Sequence, residues 1–289
     1  MPGAKMIANR GSEEQKNRYI PAMVCGECPV AFALTEEQAG SDIGGIATRA
    51  VRDGSGWILN GAKTFISNAG FAKIFVICAY TDKTKGPGGG LSAFIVQRET
   101  PGFLLGSAIP LMGYATLGVH EVVLQDCRLP ADALIGDEGK AFKYVLEGVN
   151  EGRLSVAAAS LGMGELALSE AIGFAKQRMA FGKKIAEFQA IQHMLADSAT
   201  ELYAARQLLI DVAWHAEQHG QDGAKCSMAK LFCTEARSRA VDRALQVFGG
   251  TGYCRGVIVE RLYRDIRVSR IYEGSSEIQR NQIAKSLLN

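Results

Sequence analysis

Residues 191–214 read IQHMLADSATELYAARQLLIDVAW. Ile191, Met194, Leu195, Leu202, Leu209, Val212 and Ala213 fall near one stripe of a 3.6-residue period, which predicts a helix buried along one side. Residues 154–178 and 224–248 read the same way, and the second run stops at Gly249-Gly250, a C-terminal cap signal. From Asp137 onward the period is helical throughout. Four or five helices of this length make a bundle.

Working back toward the N-terminus, the text changes character near residue 130. Residues 30–34, 73–80, 91–98 and 119–124 are short β-branched or aromatic runs, two of them split by the glycine-rich loop 85–90. Residues 46–51 and 57–59 flank Asp53-Gly54-Ser55-Gly56, a strong hairpin turn. Short strands joined by glycine-rich turns predict a sandwich or barrel, not a doubly wound sheet. Residues 10–28 read as a helix and its exit: Ser12 caps, Glu13 and Glu14 suit the first turn, and Pro21 breaks the run. The expected fold is therefore α+β: a small β-barrel or sandwich domain, then a C-terminal four-helix bundle, with a helix in front. No internal repeat or low-complexity tract is present.

The chain has 289 residues, 47% of them hydrophobic, enough for two domains. Its 32 basic and 30 acidic residues leave a net charge of +2. So even a balance gives no global basic field and argues against nucleic acid as a partner, while leaving room for a local basic spot facing a phosphate. No apolar run reaches transmembrane length, and residues 1–10 lack a secretory signal, so the chain is not expected to be secreted. Seven scattered cysteines in apolar surroundings suggest reduced core thiols and a reducing compartment. The expected location is the cytoplasm of a bacterium, or the mitochondrial matrix in a eukaryote.

Several motifs fail on inspection. Cys25-Gly26-Glu27-Cys28 has the spacing of a redox or zinc pair, but neither a second ligand pair nor a βαβ context accompanies it. His215 and His219 stand four apart on a helix, with Glu217 in the wrong place for a zinc-protease motif; they read as exposed histidines near a helix C-terminus. No metal site is expected. Gly162-Met163-Gly164 lacks the third glycine and the preceding strand of a dinucleotide fingerprint, so close helix packing explains it better. No phosphate loop appears.

Four segments resist a purely structural reading. Phe32-Ala33-Leu34-Thr35-Glu36-Glu37-Gln38-Ala39-Gly40-Ser41-Asp42 is a strand ending in a hydroxyl-rich loop. Lys63-Thr64-Phe65-Ile66-Ser67-Asn68-Ala69-Gly70 places an aromatic and a hydroxyl two apart on one strand face. Gln177-Arg178-Met179-Ala180-Phe181-Gly182 ends a long helix with a cation suited to a phosphate. The fourth is Gln246-Val247-Phe248-Gly249-Gly250-Thr251-Gly252, followed by Arg264-Asp265 and then Ile271-Tyr272-Glu273-Gly274-Ser275-Ser276-Glu277-Ile278-Gln279-Arg280. Together, from about Gly11 to the C-terminus, these resemble the acyl-CoA dehydrogenase family.

The resemblance implies an FAD enzyme that dehydrogenates an acyl-CoA thioester to the trans-2-enoyl-CoA. It implies three parts: residues 1–28 as the remnant of an N-terminal helical domain, 29–132 as a β domain on the flavin and substrate side, and 133–289 as a bundle carrying FAD contacts, the base and oligomerisation. By similarity, Thr35 and the backbone of Leu34 contact the flavin pyrimidine end. Phe65 flanks the ring and Ser67 stands near flavin N5. Arg178, Phe181, Gln246, Gly249 and Gly250, joined by Gln189, reach the FAD of a neighbouring subunit in a tetramer or dimer. Ser275 and Glu277 touch the cofactor at the start of the last helix. Ser41, Asn150 and Arg153 match CoA-contacting positions, and Tyr272 and Gly274 flank the substrate. Electron-transfer flavoprotein is the implied acceptor.

Glu273 is the implied base, taking the α-proton while flavin N5 takes the β-hydride. An ordinary carboxylate is too weak, so desolvation by an acyl chain and a flavin ring must raise its pKa, against a helix N-terminus that favours the anion. Some relatives carry the base just before the arginine of the first long helix; here that position is Gly152, which cannot serve, and Glu151 lies about 100° around the helix. The family's N-terminal helical domain is mostly missing from this sequence, and Glu37 stands where relatives often have proline. Two other readings stay open: a non-catalytic flavoprotein subunit needing a partner chain, and an oxidase of the same superfamily.

Overall fold

In the computed structural model, which describes residues 2–288, the chain divides into two compact units. One comprises residues up to Leu111 together with Ala115–Val149; the other comprises Met112–Tyr114 together with residues from Asn150 on.

The first unit is built on a seven-stranded curled sheet. Its strands are β1 (Val30–Ala33), β2 (Arg49–Asp53), β3 (Gly56–Ile66), β4 (Ile74–Tyr80), β5 (Leu91–Gln97), β6 (Phe103–Ala108) and β7 (His120–Leu129). The order is β1-β4-β2-β3-β7-β6, with β5 on β4. Every residue of β4, Ile-Phe-Val-Ile-Cys-Ala-Tyr, is buried, as a strand covered on both faces requires. Phe75 and Ile77 join Trp57, Phe94, Phe103 and Leu124 on one side. Ile74, Val76, Cys78 and Tyr80 join Met6, Ile7, Leu91 and Tyr144 on the other. The hairpin β2–β3 turns at Gly54-Ser55, with Asp53 opposite Gly56, where the sequence put it.

Two helices precede the sheet, where the sequence predicted one over residues 10–28. They are α1 (Pro2–Arg10) and α2 (Glu13–Val24). Gly11 separates them: a β-carbon there would stand 2.5 Å from the Ile7 carbonyl oxygen. Ser12 does cap α2, in a reciprocal box with Gln15. Pro21 lies inside α2 rather than ending it, because only the last turn loses a donor to it. The loop 85–90 forms a one-turn helix, α3 (Gly86–Gly90), and strand β6 was missed because Pro101-Gly102 reads as the start of a loop.

In the second unit run α4 (Ala141–Gln177, from Asn150 on), α5 (Gln189–His219), α6 (Gly223–Phe248), α7 (Ile258–Ile266) and α8 (Ser276–Leu288). Their contacts are lined with small side chains. Ala157, Ala205, Ala229 and Ala236 surround Leu161 and Leu202; Ala167, Ala171 and Ala244 surround Val259 and Leu262. Gly164 serves the close packing predicted for it: a β-carbon there would meet Leu202 Cδ2 at 2.6 Å. Gly162 faces open space.

Candidate active site

Glu273 lies in a strap between two helical segments. A 3-10 turn, Arg267–Arg270, follows α7, and α8 starts at Ser276, whose first turn Ser275 caps by accepting from the Ile278 N–H. Between them the chain reverses through two left-handed residues, Glu273 at φ 52 and Gly274 at φ 82. For Gly274 glycine is required twice over, since a β-carbon would stand 2.6 Å from Gln279 Nε2. For Glu273 the conformation costs roughly 1–2 kcal/mol and persists only because the surroundings hold it. The holding bonds are specific. Gln279 Nε2 donates to the Glu273 carbonyl at 3.0 Å and to the Gly274 carbonyl at 2.8 Å. Lys230 Nζ donates to the same Gly274 carbonyl at 2.6 Å.

The Glu273 side chain is half-buried and turned toward α4 at Gly152. A β-carbon on Gly152 would stand 2.7 Å from Glu273 Oε2. Burial pushes the carboxyl above the usual range, against the opposing pull of Lys230 and Arg153. Arg153 is buried and donates to Asn150 Oδ1 at 2.9 Å, and its Nε has no hydrogen-bond partner. Next to Glu273, burial and the neighbouring Tyr114 push the Tyr272 hydroxyl up to about 12. The buried Arg237, held by the Ile266 carbonyl and Ser269, works against that rise.

In the first unit, a second set of residues surrounds the end of β3. Glu36 and Lys63 form a fully buried ion pair at 2.7 Å. Glu36 also accepts from the Ala47 N–H at 2.6 Å and from the Thr48 N–H and hydroxyl. Burial alone would raise Glu36, but Lys63 and these donors hold it below the usual carboxylate range. Lys63 Nζ reaches the Leu34 carbonyl at 3.1 Å, and the Thr64 N–H donates to the Thr35 carbonyl at 2.9 Å. The Leu34–Thr35 loop is thus tied to the strand that carries Phe65. Phe65 sits at φ 56, in a register shift of β3 against β7, and is 59% exposed. The strand ends at Ile66, so Ser67 begins the following turn; the predicted alternation of Phe65 and Ser67 along a regular strand does not hold, although both side chains are exposed.

Comparison with known proteins fits this arrangement to a family. Residues 31–127 match the family description "Acyl-CoA dehydrogenase, middle domain", and residues 139–288 match "Acyl-CoA dehydrogenase, C-terminal domain". The chain belongs to the acyl-CoA dehydrogenase family. It is 40% identical over 286 residues to a probable acyl-CoA dehydrogenase of Bacillus subtilis, covering 99% of this chain and 75% of that one. It is 41% identical to a subunit of the caffeyl-CoA reductase-Etf complex of Acetobacterium woodii, covering 96% and 73%. The crystal structure of an acyl-CoA dehydrogenase from Geobacillus kaustophilus superposes with a TM-score of 0.96 at 40% identity, covering 98% and 75%.

As an acyl-CoA dehydrogenase, the chain is an oxidoreductase acting on CH–CH groups, and its sequence-predicted residues fall into separate groups. Asn150, Arg153, Glu273, Gly274 and Ser275 gather at the strap and the facing turn of α4. Tyr272 precedes Glu273 and is 40% exposed. Glu277, beside Ser275, is held below the usual range by its own N–H and the Ser275 hydroxyl. Arg178, Phe181, Gln189, Gln246, Gly249 and Gly250 are all exposed, and Phe181 is 95% exposed at φ 51. Ser41 lies exposed in the loop after Thr35. Lys230, Gln279 and the Glu36–Lys63 pair escaped the sequence reading. A lysine within the apolar stripe of α6 was the available signal for the first. Among the described residues no helix is long and apolar enough to cross a membrane, and no cluster of three metal-ligating side chains occurs.

Proposed function

We propose that the chain converts an acyl-CoA thioester to its trans-2-enoyl-CoA, with Glu273 removing the α-proton. The observation that carries this reading is the half-buried Glu273 carboxylate, raised by burial and facing the bare backbone of Gly152. A base must be poised near the working pH, and burial moves a carboxylate in that direction. None of the strap's hydrogen bonds uses the Glu273 N–H among the described residues, which leaves it free to donate to a thioester carbonyl as charge develops there. Arg153, with Asn150, supplies a cation and an amide for the CoA portion.

The donor set fits FAD. Two exposed phenylalanines, Phe65 and Phe181, stand at positive φ, where a bulky residue survives only for a reason. In the first unit Thr35 and Ser67 offer hydroxyls; in the second, by itself, Ser275 offers a hydroxyl, Arg178 a cation for a pyrophosphate, Gln189 and Gln246 amides, and Gly249-Gly250 an open backbone with nothing near a β-carbon. Glu277 completes the set at the start of α8. When bound, FAD supplies the acceptor for the β-hydride. The protein's own part is to hold the carboxylate dry and aimed. Electron-transfer flavoprotein is the proposed acceptor, a reading supported by the relative named as part of an Etf complex. A homo-oligomer is proposed from the exposed Arg178, Phe181 and Gln246. The test is Glu273→Gln: the variant should keep flavin and lose nearly all bleaching by acyl-CoA under anaerobic conditions. Retention of substantial turnover would sink the assignment.

A further inference from the structure

Lysine is almost never fully buried unless a carboxylate pairs with it. Lys230 is fully buried on α6, and among the described residues no carboxylate lies within ion-pair distance of it. Its one hydrogen bond goes to the carbonyl of Gly274, the residue after the proposed base. A methionine would fill the same volume without the cost of an uncompensated charge. Packing therefore does not explain the lysine, and its acceptor does.

We propose that Lys230 is the positioning residue of the base: its ammonium clamps the Gly274 carbonyl, fixes the left-handed strap, and sets a positive charge beside the Glu273 carboxylate. The inference rests on Glu273 being the base. The Gly274 carbonyl takes two donors, Lys230 Nζ and Gln279 Nε2, and Gln279 also holds the Glu273 carbonyl. Both carbonyls of the reversal are thereby pinned, so the peptide planes of the strap cannot rotate. That matters because a side chain misplaced by about 1 Å can cost a hundredfold in rate.

The charged groups facing this lysine come from three elements: Arg153 on α4, Glu273 on the strap, and Arg237 and Glu235 on α6 itself. Burial and Arg153 pull the ammonium down to about 8. Its charge is thus lost at mildly alkaline pH. The neutral amine still donates to Gly274, so the clamp survives and only the field on Glu273 changes.

Three variants separate the two effects. Lys230→Gln keeps a donor and loses the charge; Lys230→Met loses both; Lys230→Arg keeps the charge. Measured are kcat and KM across pH, together with the titration of the Glu273 carboxyl by 13C NMR, assigned by difference from Glu273→Gln. We expect Lys230→Met to lower kcat about tenfold to a hundredfold, with KM much less affected. Lys230→Gln should recover most of that loss, while its Glu273 carboxyl titrates at higher pH than in the wild type. In the wild type, the Glu273 signal should show a second inflection near the titration of Lys230, a result that needs no variant to fold. An unmoved Glu273 titration in Lys230→Gln, without that second inflection in the wild type, overturns the proposal. So does a loss of kcat that follows thermal stability alone in all three variants. If Glu273→Gln stays active, the base assignment has failed instead; if it is dead while Lys230→Met is normal, only the present inference fails.

Discussion

Gly152 presents a bare Cα to the carboxylate of Glu273. A β-carbon at that position would stand 2.7 Å from Oε2 and 3.1 Å from Cδ, well inside van der Waals contact. The absence of a side chain on α4 thus makes the room that the strap's carboxylate occupies.

Gly152→Ala is therefore expected to separate stability from activity. Alanine in a helix interior is favoured over glycine by roughly 0.5–1 kcal/mol, so the fold should survive and Tm should hold or rise. The clash falls on the tip of a flexible side chain, which must swing away. We expect kcat/KM to drop about tenfold to a hundredfold. Thermal melts and steady-state kinetics on the same preparation check both halves, and an alanine variant with wild-type kinetics would count against the Glu273 orientation.

The raised Glu273 has a sign for stability as well. A carboxyl whose folded pKa exceeds its unfolded one binds its proton more tightly when folded. The stability it contributes is present below the unfolded value, about 4.3, and is lost as pH rises through the raised folded value. Above that raised value the ionised, half-buried carboxylate is a liability. Glu273→Gln should therefore melt a few degrees higher, about 2–4 °C, near neutral pH. The gap should close toward about pH 4. A variant that melts lower than the wild type at neutral pH would refute this. The acid limb of turnover should likewise lie above the range of an ordinary glutamate.

The period of residues 191–214 gave a helix that runs Gln189–His219, and Asp53-Gly54-Ser55-Gly56 gave the hairpin, because both signals are local. Gly152 opposite Glu273 was readable only by resemblance: 121 positions separate them, and no spacing rule relates a helix residue to a strap that far along. Lys230 and the Glu36–Lys63 pair were invisible for a related reason. A charged residue in an apolar stripe looks like a solvated outlier until its acceptor is known. Phe65 was placed on a regular strand because nothing local announces a bulge at a phenylalanine.

Phe181 combines 95% exposure with φ 51. A left-handed phenylalanine costs roughly 1–2 kcal/mol, and the exposed ring returns only part of it through its edge-to-face contact with Phe188 at 6.1 Å. Phe181→Gly should therefore leave the apoprotein's Tm unchanged or slightly higher. If the ring serves FAD, the same variant should weaken flavin retention by about twofold to tenfold, since a stacked aromatic contributes around 0.5–1.5 kcal/mol beyond its area. Flavin fluorescence titration and a melt of the apoprotein distinguish the two contributions, and flavin affinity equal to wild type would remove Phe181 from the proposed site.

The Glu36–Lys63 pair is expected to behave as a buried charge pair that is costly to halve. Lys63→Met strips the nearest cation from a carboxylate that stays buried with two backbone N–H donors, the Gln38 amide and a hydroxyl. Leaving such a charge uncompensated costs about 3–5 kcal/mol. Replacing both partners, Glu36→Gln with Lys63→Met, removes the charges; the glutamine carbonyl can keep the Thr48 N–H and hydroxyl, while the Ala47 N–H and the Gln38 amide lose the oxygen they share. A lost hydrogen bond costs less than an uncompensated buried charge, so the double variant should lose less than Lys63→Met alone. Urea unfolding of the two variants decides it, and a double variant less stable than the single would show that the pair is net stabilising beyond its own desolvation. Because Lys63 also holds the Leu34 carbonyl, the single variant should loosen the loop that bears Thr35 and weaken flavin binding. Glu36 is held below the usual range, so the stability it lends is present above the unfolded value and is lost as pH falls through the lowered folded value. The pair's contribution should accordingly disappear on the acid side, opposite to Glu273, whose proton is taken up more readily in the folded chain.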